Sequence, residues 1–385
     1  PTRRSSDLLL PVEIIRKSAA KGYVIRSREE ETMMNITLLE MLRQNFGITI
    51  SGLDPLPTDE SGVNVKLIYS IIRNSIKNQR KWDVEEQAIL GIFSFNKFIM
   101  WNDIHNNANK LVQNKIVSSL INGKIEWEAA TEETDATDMD KQVSPADIVL
   151  PIIADSSQLE AIYEAVHDKT FILHGPPGTG KTSVALRNMV REFLAIPDYQ
   201  ILLVAFTNRA VDEICDKLET IGEVDDYIRV GQTLSCDVAY RSHLLSERMK
   251  QCRNREEASR SIHSCRVFVA TLSSLSGKME LFNLKRFDVA IVDEASQILE
   301  PQLVGLLSAK TPTGRDAIGK FILIGDHKQL PAVVVQSAEE SVITDERLRS
   351  AGFVDCRISL FERLYRRLPE GSPFADMLDC QWRMH

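Results

Sequence analysis

The sequence predicts an α/β fold built on a parallel β-sheet, preceded by a mainly helical N-terminal region. Short apolar runs in the second half of the chain are typical of strands buried on both faces: residues 170–174, 200–205, 266–271, 287–292 and 320–325. Helical patterns lie between several of these runs, as in 181–195 and 208–220. Such alternation predicts parallel strands joined by helices, with ligands bound at the carboxyl ends of the strands.

The N-terminal region shows helical periodicity in two places. Apolar residues recur every three or four positions in 63–79 and again in 105–121, before Asn122-Gly123 ends the second pattern. The stretch between them, 90–104, is dense in aromatic residues, for which core packing is favoured over a base-stacking surface. Residues 47–62 are rich in Gly, Pro and Asp, which indicates a loop.

An acidic stretch separates this region from the α/β region. Residues 126–140 hold seven acidic side chains and no Lys or Arg, which predicts a linker or a long surface loop. We therefore divide the chain into an N-terminal region (1–125), a linker (126–147) and an α/β domain (148–385). The stretch supplies seven of the charges behind the net charge of −8. Net charge alone therefore does not decide whether nucleic acid is a partner.

Composition argues against several classes of protein. No apolar run approaches the roughly 18 residues that a membrane-spanning helix needs, and the short apolar run at Leu8–Leu10 is cut too soon for a signal peptide. The six cysteines are scattered without a CxxC pair, which argues against a metal cluster and a disulfide framework. These features favour a reduced, cytoplasmic setting without a membrane partner.

The strongest chemical signal lies near residue 180. An apolar strand ending at His174 is followed by a glycine-rich turn and by Lys181 and Thr182, which open a helix. In this context the backbone N–H groups of the turn and the helix N-terminus bind phosphate oxygens. Lys181 is expected to reach the terminal phosphates of a nucleoside triphosphate, and the Thr182 hydroxyl to bind Mg²⁺. The predicted phosphate site comprises Gly175, Pro176, Pro177, Gly178, Thr179, Gly180, Lys181 and Thr182.

A second apolar strand, 287–292, ends in the carboxylate pair Asp293-Glu294. Asp293 at the strand tip is expected to hold Mg²⁺ through a water molecule. Glu294 is placed to orient or deprotonate the water that attacks the terminal phosphate. Such a pair is common by itself, but its position after a buried strand and downstream of a phosphate loop predicts a triphosphatase site.

Residues 150–385 resemble the superfamily 1 helicases, in particular the 5′-to-3′ branch that includes the nonsense-mediated-decay helicase and the replication nuclease-helicase. The likeness rests on seven motifs in the family's order: Ser156–Ile162, Gly175–Thr182, Val204–Ile214, Ala270–Ser274, Asp293–Ser296, Ile324–Pro331 and Gln381–His385. The resemblance implies a P-loop NTPase with a RecA-like sheet, the first of two motor domains. It also implies that ATP and Mg²⁺ are the cofactors and that single-stranded DNA or RNA is the partner.

The same resemblance implies roles for residues outside the phosphate loop. Gln158 would hydrogen-bond adenine, and Gln329 would sense the γ-phosphate and couple it to the strand. Trp382 stands where the family usually has Tyr, a change that preserves stacking on adenine. Arg383 would approach the γ-phosphate, so that the expected catalytic residues are Lys181, Asp293, Glu294, Gln329 and Arg383.

Contacts to nucleic acid are expected from small polar residues after two of the strands. Thr207, Asn208 and Thr271 can donate to phosphate oxygens without reading the base sequence. For each of them, helix capping is the alternative, for instance Asn208 before a helix over 209–220. A basic insertion at about 223–266 either grips nucleic acid or is a solvated helix face.

Two other functions remain open at this point. One is a nucleic-acid-dependent ATPase switch that does not unwind its partner. The other, less favoured, is an AAA-type ATPase, in which the acidic pair usually follows the lysine much sooner than the 112 residues between Lys181 and Asp293. A second RecA-like domain would lie beyond His385, so residues 1–385 alone are expected to bind ATP weakly and hydrolyse it poorly.

Overall fold

A computed structural model describes thirteen parts of the chain: residues 8–9, 12–18, 22–27, 33–34, 39, 42, 47–53, 57–59, 62–76, 104, 108–122, 154–167 and 171–382, apart from 223, 225, 330, 333, 335, 336 and 370. The aromatic stretch 90–103, the predicted linker 126–147 and Arg383 lie outside the described residues. The chain divides into two compact units, residues 1–98 and 99–385.

The described residues of the first unit include three antiparallel strand pairs and a helix. Its elements are β1 (Leu8–Leu9), β2 (Val12–Ser18), β3 (Gly22–Ser27), β4 (Met33–Met34), β5 (Thr58–Asp59), β6 (Gly62–Val63) and α1 (Val65–Ile76). β1 pairs with β4, β2 with β3, and β5 with β6. Helix α1 confirms the periodicity of 63–79 and buries Ile68, Ile72 and Ile76 against Leu42 and Leu53.

The strands before residue 35 depart from the mainly helical region expected from the sequence. β2 and β3 are rich in Val and Ile, β-branched residues that favour extended backbone. Only three residues separate the two strands, so the pairing is a local hairpin. The sequence of β2, with Ile14-Ile15 followed by Arg16-Lys17, does not alternate regularly between apolar and polar residues, so the pattern did not indicate a strand.

The second unit is built around seven parallel strands. They are β7 (Ile172–His174), β8 (Ile201–Ala205), β9 (Tyr227–Val230), β10 (Val267–Thr271), β11 (Phe287–Val292), β12 (Ile318–Gly325) and β13 (Ala375–Met377). Their order across the sheet is β13-β7-β12-β11-β8-β10-β9, and every pairing is parallel. The five predicted strands are confirmed as the inner strands, whereas the edge strands β9 and β13 were not predicted.

Helices cover this sheet on both sides. They are α2 (Ala108–Gln113), α3 (Lys115–Asn122), α4 (Ser156–His167), α5 (Arg187–Ala195), α6 (Asn208–Leu218), α7 (Leu245–Gln251), α8 (Arg255–Ser264), α9 (Leu272–Ser276), α10 (Leu281–Leu284), α11 (Glu300–Leu307), α12 (Ala338–Ser341), α13 (Glu346–Ser350) and α14 (Leu360–Tyr365). A π-helical segment, Lys181–Leu186, leads into α5, and 3₁₀ turns occur at Thr233–Ser235, Val238–His243 and Ala295–Gln297.

Two hydrophobic clusters lie on opposite faces of the sheet. Along β8, Leu202 and Val204 belong to one cluster and Leu203 and Ala205 to the other, as the alternation of a strand requires. Helices α4, α5 and α6 supply the second cluster, and α11 and α14 supply the first. Among the described residues, no helix combines the length and apolar character needed to cross a membrane.

Helices α2 and α3 belong with the sheet of the second unit. They form where the helical pattern 105–121 was predicted, but their apolar residues Leu111, Val117 and Leu120 join the first sheet cluster. The compact units accordingly divide near residue 98, whereas the sequence-based division placed this helical pair in the N-terminal region.

Candidate nucleotide site

The phosphate loop connects β7 to the helical segment that begins at Lys181, as predicted. Gly178 and Gly180 have φ values of 81° and 78°, in the left-handed region that favours glycine. A Cβ atom at Gly180 would lie 2.9 Å from Nε2 of Gln158. The loop therefore needs glycine at this position both for its backbone conformation and for its close packing.

Lys181 folds back over this loop. Its ammonium group donates to the backbone oxygens of Gly175 and Pro176, the latter at 3.2 Å. A Cβ atom at Gly175 would meet the Lys181 Cγ at 2.5 Å, so only glycine leaves room for this course of the lysine. Phosphate oxygens bound at the loop would compete with these carbonyls for the ammonium protons.

Thr182 and Asp293 meet at the predicted metal position, although 111 residues separate them. The Thr182 hydroxyl donates to Oδ2 of Asp293 at 2.7 Å, and Oδ1 accepts from the Glu294 N–H at 2.9 Å. Burial raises the pKa of Asp293, while these two hydrogen bonds oppose the shift. A hydroxyl beside a buried carboxylate is a donor set of the hard oxygens that Mg²⁺ prefers, so these residues fit the ion.

Glu294 has the features of a strained proton acceptor. Its φ is 55°, an uncommon value outside glycine that persists only where the surroundings impose it. Its Oε2 is buried and has no hydrogen-bond partner among the described residues. Burial raises the pKa of Glu294, and the negative charges of Asp293 and Glu213 add to the shift. An unpartnered carboxylate oxygen with a raised pKa is suited to accept a proton from water.

Gln158 braces the phosphate loop. Its Nε2 donates to the Thr179 carbonyl at 2.9 Å, and its Oε1 accepts from the Asp155 N–H at 3.1 Å. The side chain is only 1% exposed. Because both ends of the amide are bound to the protein, the structure does not present Gln158 to a ligand, and its predicted contact with adenine stays a prediction.

The chain segment before Arg383 returns to the phosphate loop. The Trp382 N–H donates to the Gly178 carbonyl at 2.9 Å, and the Gln381 amide donates to the Pro177 carbonyl at 2.9 Å. The indole Nε1 of Trp382 donates to Oδ2 of Asp155 at 2.9 Å, while 62% of the residue remains exposed. An anchored, exposed indole beside a phosphate loop provides a stacking surface for a flat base.

Asp155 was not identified from the sequence. Besides holding Trp382, its Oδ1 accepts from the Ser157 hydroxyl at 2.7 Å and from the Gln158 N–H at 2.9 Å. It therefore caps α4 and links this helix to the segment before Arg383. An Asp directly before a helical pattern is a capping signal in sequence, but nothing in the sequence indicates its contact with Trp382.

Two of the three residues predicted to contact nucleic acid serve as helix caps. Thr207 accepts from the Ala210 N–H at 3.1 Å and caps α6, and Thr271 accepts from the Ser274 N–H at 3.1 Å and caps α9. Thr271 is only 2% exposed, so the capping alternative accounts for it. Asn208 is half-buried and is not the cap of α6. Beside it, the Arg209 side chain is 91% exposed, and the sequence reasoning missed it.

The basic insertion is largely occupied by internal contacts. Arg248 pairs with Asp226, and Lys250 pairs with Glu247. Arg266 donates to carbonyls at and just after the C-terminal end of α5, at 3.1 Å to Leu194, 2.6 Å to Ile196 and 3.1 Å to Tyr199. The exposed Lys and Arg residues of this insertion are Lys250, Arg253, Arg255 and Arg260.

Comparison with known proteins places this site in a family. The AAA domain family AAA_11 matches residues 154–260 and 235–337. The DNA replication ATP-dependent helicase/nuclease JHS1 of Arabidopsis thaliana is 34% identical over 232 residues, which cover 60% of this chain and 15% of that protein. Residues 154–337 are related to the superfamily 1 helicases. A second family model, described as a protein of unknown function (DUF4011), matches residues 3–42.

Two further relatives indicate the same family for this part of the chain. The DNA replication ATP-dependent helicase/nuclease DNA2 of Mus musculus is 31% identical over 225 residues, covering 57% of this chain and 18% of that protein. The DNA polymerase alpha-associated DNA helicase A of Saccharomyces cerevisiae is 25% identical over 278 residues, which cover 60% of this chain and 38% of that protein. The chain thus spans between 15% and 38% of the length of these relatives.

Proposed function

We propose that the second unit is the first motor domain of a protein that couples hydrolysis of Mg-ATP to movement along a single nucleic-acid strand. The 2.7 Å contact between Thr182 and Asp293 carries this proposal. It brings the phosphate loop and the end of β11 together at a position suited to Mg²⁺, with Glu294 beside it.

Each residue of this site has a chemical task in the proposed reaction. Thr182 and Asp293 would hold Mg²⁺, and the ion would neutralise phosphate charge and orient the phosphate oxygens. Lys181 leaves the loop carbonyls and donates to the terminal phosphates. Glu294 accepts a proton from the attacking water. The exposed face of Trp382 stacks on adenine, and Arg383 approaches the γ-phosphate.

The proposed nucleic-acid contacts lie at one edge of the sheet. β8 and β10 are paired in parallel with Ala205 opposite Thr271, so the residues that follow both strands lie at the same edge. Thr207 and Asn208 follow β8, and the exposed Arg209 adds a positive charge that suits a phosphate. Such contacts bind the backbone of a strand without reading its bases.

The decisive experiment measures ATP binding and hydrolysis by the intact protein with single-stranded DNA, with single-stranded RNA and without nucleic acid. Glu294→Gln should bind ATP but lose about 10²- to 10⁴-fold in hydrolysis, the usual contribution of a general base. Lys181→Ala should lose ATP binding. Glu280→Gln, an exposed glutamate before α10, is the matched control and should behave as wild type. Normal hydrolysis by Glu294→Gln would disprove the assignment of the base.

The same preparation separates a helicase from a switch. A single-turnover unwinding assay should show strand separation that depends on ATP. Stimulated hydrolysis without any unwinding would instead favour a nucleic-acid-dependent ATPase switch. The relatives named above are DNA helicases, so DNA is the partner to test first.

A further inference from the structure

His174, the last residue of β7, has no task in the proposed reaction. It directly precedes Gly175, it is only 3% exposed, and its Nε2 lies 3.1 Å from Oδ1 of Asp326. The two residues before it, Ile172 and Leu173, are apolar and fully buried, as expected in an inner strand. A buried imidazole here would be costly without a hydrogen bond, so its contact with Asp326 needs an explanation.

Asp326 lies where three of the family motifs meet. It follows β12, the neighbour of β7, and its N–H donates to the hydroxyl of Ser296, directly after Asp293-Glu294-Ala295, at 3.3 Å. Its carboxylate accepts from the Lys328 N–H at 2.9 Å. Burial alone would raise the pKa of Asp326, but this bond and the side chains of Gln329 and His174 outweigh it and lower the pKa. The Asp326 carbonyl also accepts from the Gln329 N–H at 3.2 Å, so Asp326 holds the turn that carries Gln329.

The surroundings of His174 define which nitrogen carries its proton. Burial lowers the pKa of His174, and the nearby charges of His327 and Lys181 oppose protonation, although Asp326 favours it. The neutral ring donates from Nε2 to the Asp326 carboxylate, and its Nδ1 has no hydrogen-bond partner among the described residues. The rings of Tyr365 and His327 lie 4.8 Å and 4.9 Å from the His174 ring and fix its plane.

A backbone contact runs alongside this side-chain bond. The Gly175 N–H, at the start of the phosphate loop, donates to the Gly325 carbonyl at 3.0 Å. The ends of β7 and β12 are thus tied twice, once through the backbone and once through His174 and Asp326. Only the second tie leads to Gln329.

We propose that His174 is a positioning residue that holds the Asp326 carboxylate, and through it Gln329, in the orientation needed at the γ-phosphate. The inference rests on the proposed ATPase function. Loss of the His174 donor would leave a buried carboxylate short of one hydrogen bond and free to turn. Gln329 would then lose its anchor, whereas the phosphate loop would keep its own contacts.

Three substitutions in the intact protein separate this role from packing. His174→Leu fills the site without a donor, His174→Ala removes the ring, and His174→Gln keeps an N–H that can donate to Asp326. For Leu and Ala, the kcat for nucleic-acid-stimulated hydrolysis should fall at least tenfold, as expected for losing a hydrogen bond to a charged acceptor. ATP affinity should stay within about threefold in all three variants, because the phosphate loop is unchanged. The Gln variant should recover most of the kcat.

The outcomes are distinguishable. A wild-type protein without nucleic-acid-stimulated hydrolysis would contradict the proposed function itself. If the wild type is active and His174→Leu matches its kcat, the inference is wrong. Equal losses in the Leu and Gln variants would show a packing role and overturn it as well. So would a His174→Leu variant that folds with an unchanged melting temperature yet no longer binds ATP.

Discussion

Asp376 is a half-buried carboxylate whose replacement should stabilise the protein at neutral pH. It lies on the edge strand β13 opposite Leu173, and its Oδ2 is buried without a hydrogen-bond partner among the described residues. Burial, aided by the negative charges of Glu164, Glu160 and Asp379 and opposed by the Met377 N–H, raises its pKa to about 6. An unfolded Asp has a pKa near 3.9, and each unit of difference corresponds to about 1.4 kcal/mol.

The size and sign of the stability change expected for Asp376→Asn follow from this difference in pKa between the native and unfolded states. A shift of about two units corresponds to at most about 3 kcal/mol, and partial exposure reduces the expected effect to about 1–2 kcal/mol. Above pH 6 the native state holds an ionised carboxylate that burial disfavours, so Asp376→Asn removes a cost. Below about pH 4 the carboxyl is protonated in both states and the gain disappears. Asn retains the oxygen that accepts from the Met377 N–H at 2.7 Å.

Urea denaturation of the wild type and Asp376→Asn at about pH 7.5 and pH 4 measures the size of the stability change and its dependence on pH. Asp379→Asn is the matched control, because that carboxylate is exposed and the neighbouring side chains of Ser157 and Cys380 lower its pKa. The control should lose stability at neutral pH, the opposite sign. A gain for Asp376→Asn that is equal at the two pH values, or no gain at pH 7.5, would refute the reasoning.

Two further predictions concern buried cations of the second unit. Arg363 pairs with Glu300 and donates to the Leu120 and Ala351 carbonyls at 3.4 Å and 3.1 Å, so Arg363→Met should lower the free energy of unfolding by about 3–5 kcal/mol. A loss below about 1 kcal/mol in urea denaturation would contradict this. Burial lowers the pKa of Lys285 to about 8, whereas the unfolded side chain keeps its proton to about pH 10.4. Relative to Lys285→Met, the wild type should therefore gain stability between about pH 8 and pH 10, by up to about 1.4 kcal/mol per pH unit, and a flat difference would argue against the low pKa.

Local patterns predicted the inner part of the sheet but not its edges. The five inner strands are buried on both faces and therefore carry continuous apolar runs. β13, by contrast, is three residues long and includes Asp376, and β9 includes Arg229. Arg229 is only 1% exposed because it pairs with Asp212 of α6, a contact that no local pattern predicts. The hairpin of β2 and β3 was missed because the pairs Ile14-Ile15 and Arg16-Lys17 interrupt the alternation of apolar and polar residues in β2.

The residues predicted to contact nucleic acid show that one residue type at one position can suit two roles. A Thr after a strand is equally suited to cap the next helix and to bind a phosphate. The burial of Thr271 decides for the cap, and burial depends on the packing of α9 against the sheet. The basic insertion is ambiguous in the same way. Its Arg266 is held by backbone carbonyls at the end of α5, which lie about 70 residues away in sequence.

The phosphate loop, the carboxylate pair and their family could be recognised from sequence because each is a short run of residues whose spacing is imposed by the chemistry of phosphate and Mg²⁺. The tertiary structure alone decided which distant residues support them. Asp155 meets Trp382 across 227 positions, and His174 meets Asp326 across 152. The second pair arises because the neighbouring parallel strands β7 and β12 bring their carboxyl ends to one edge of the sheet whatever their separation along the chain. The sequence therefore determined the chemistry at this edge, and the sheet order determined which side chains hold it in place.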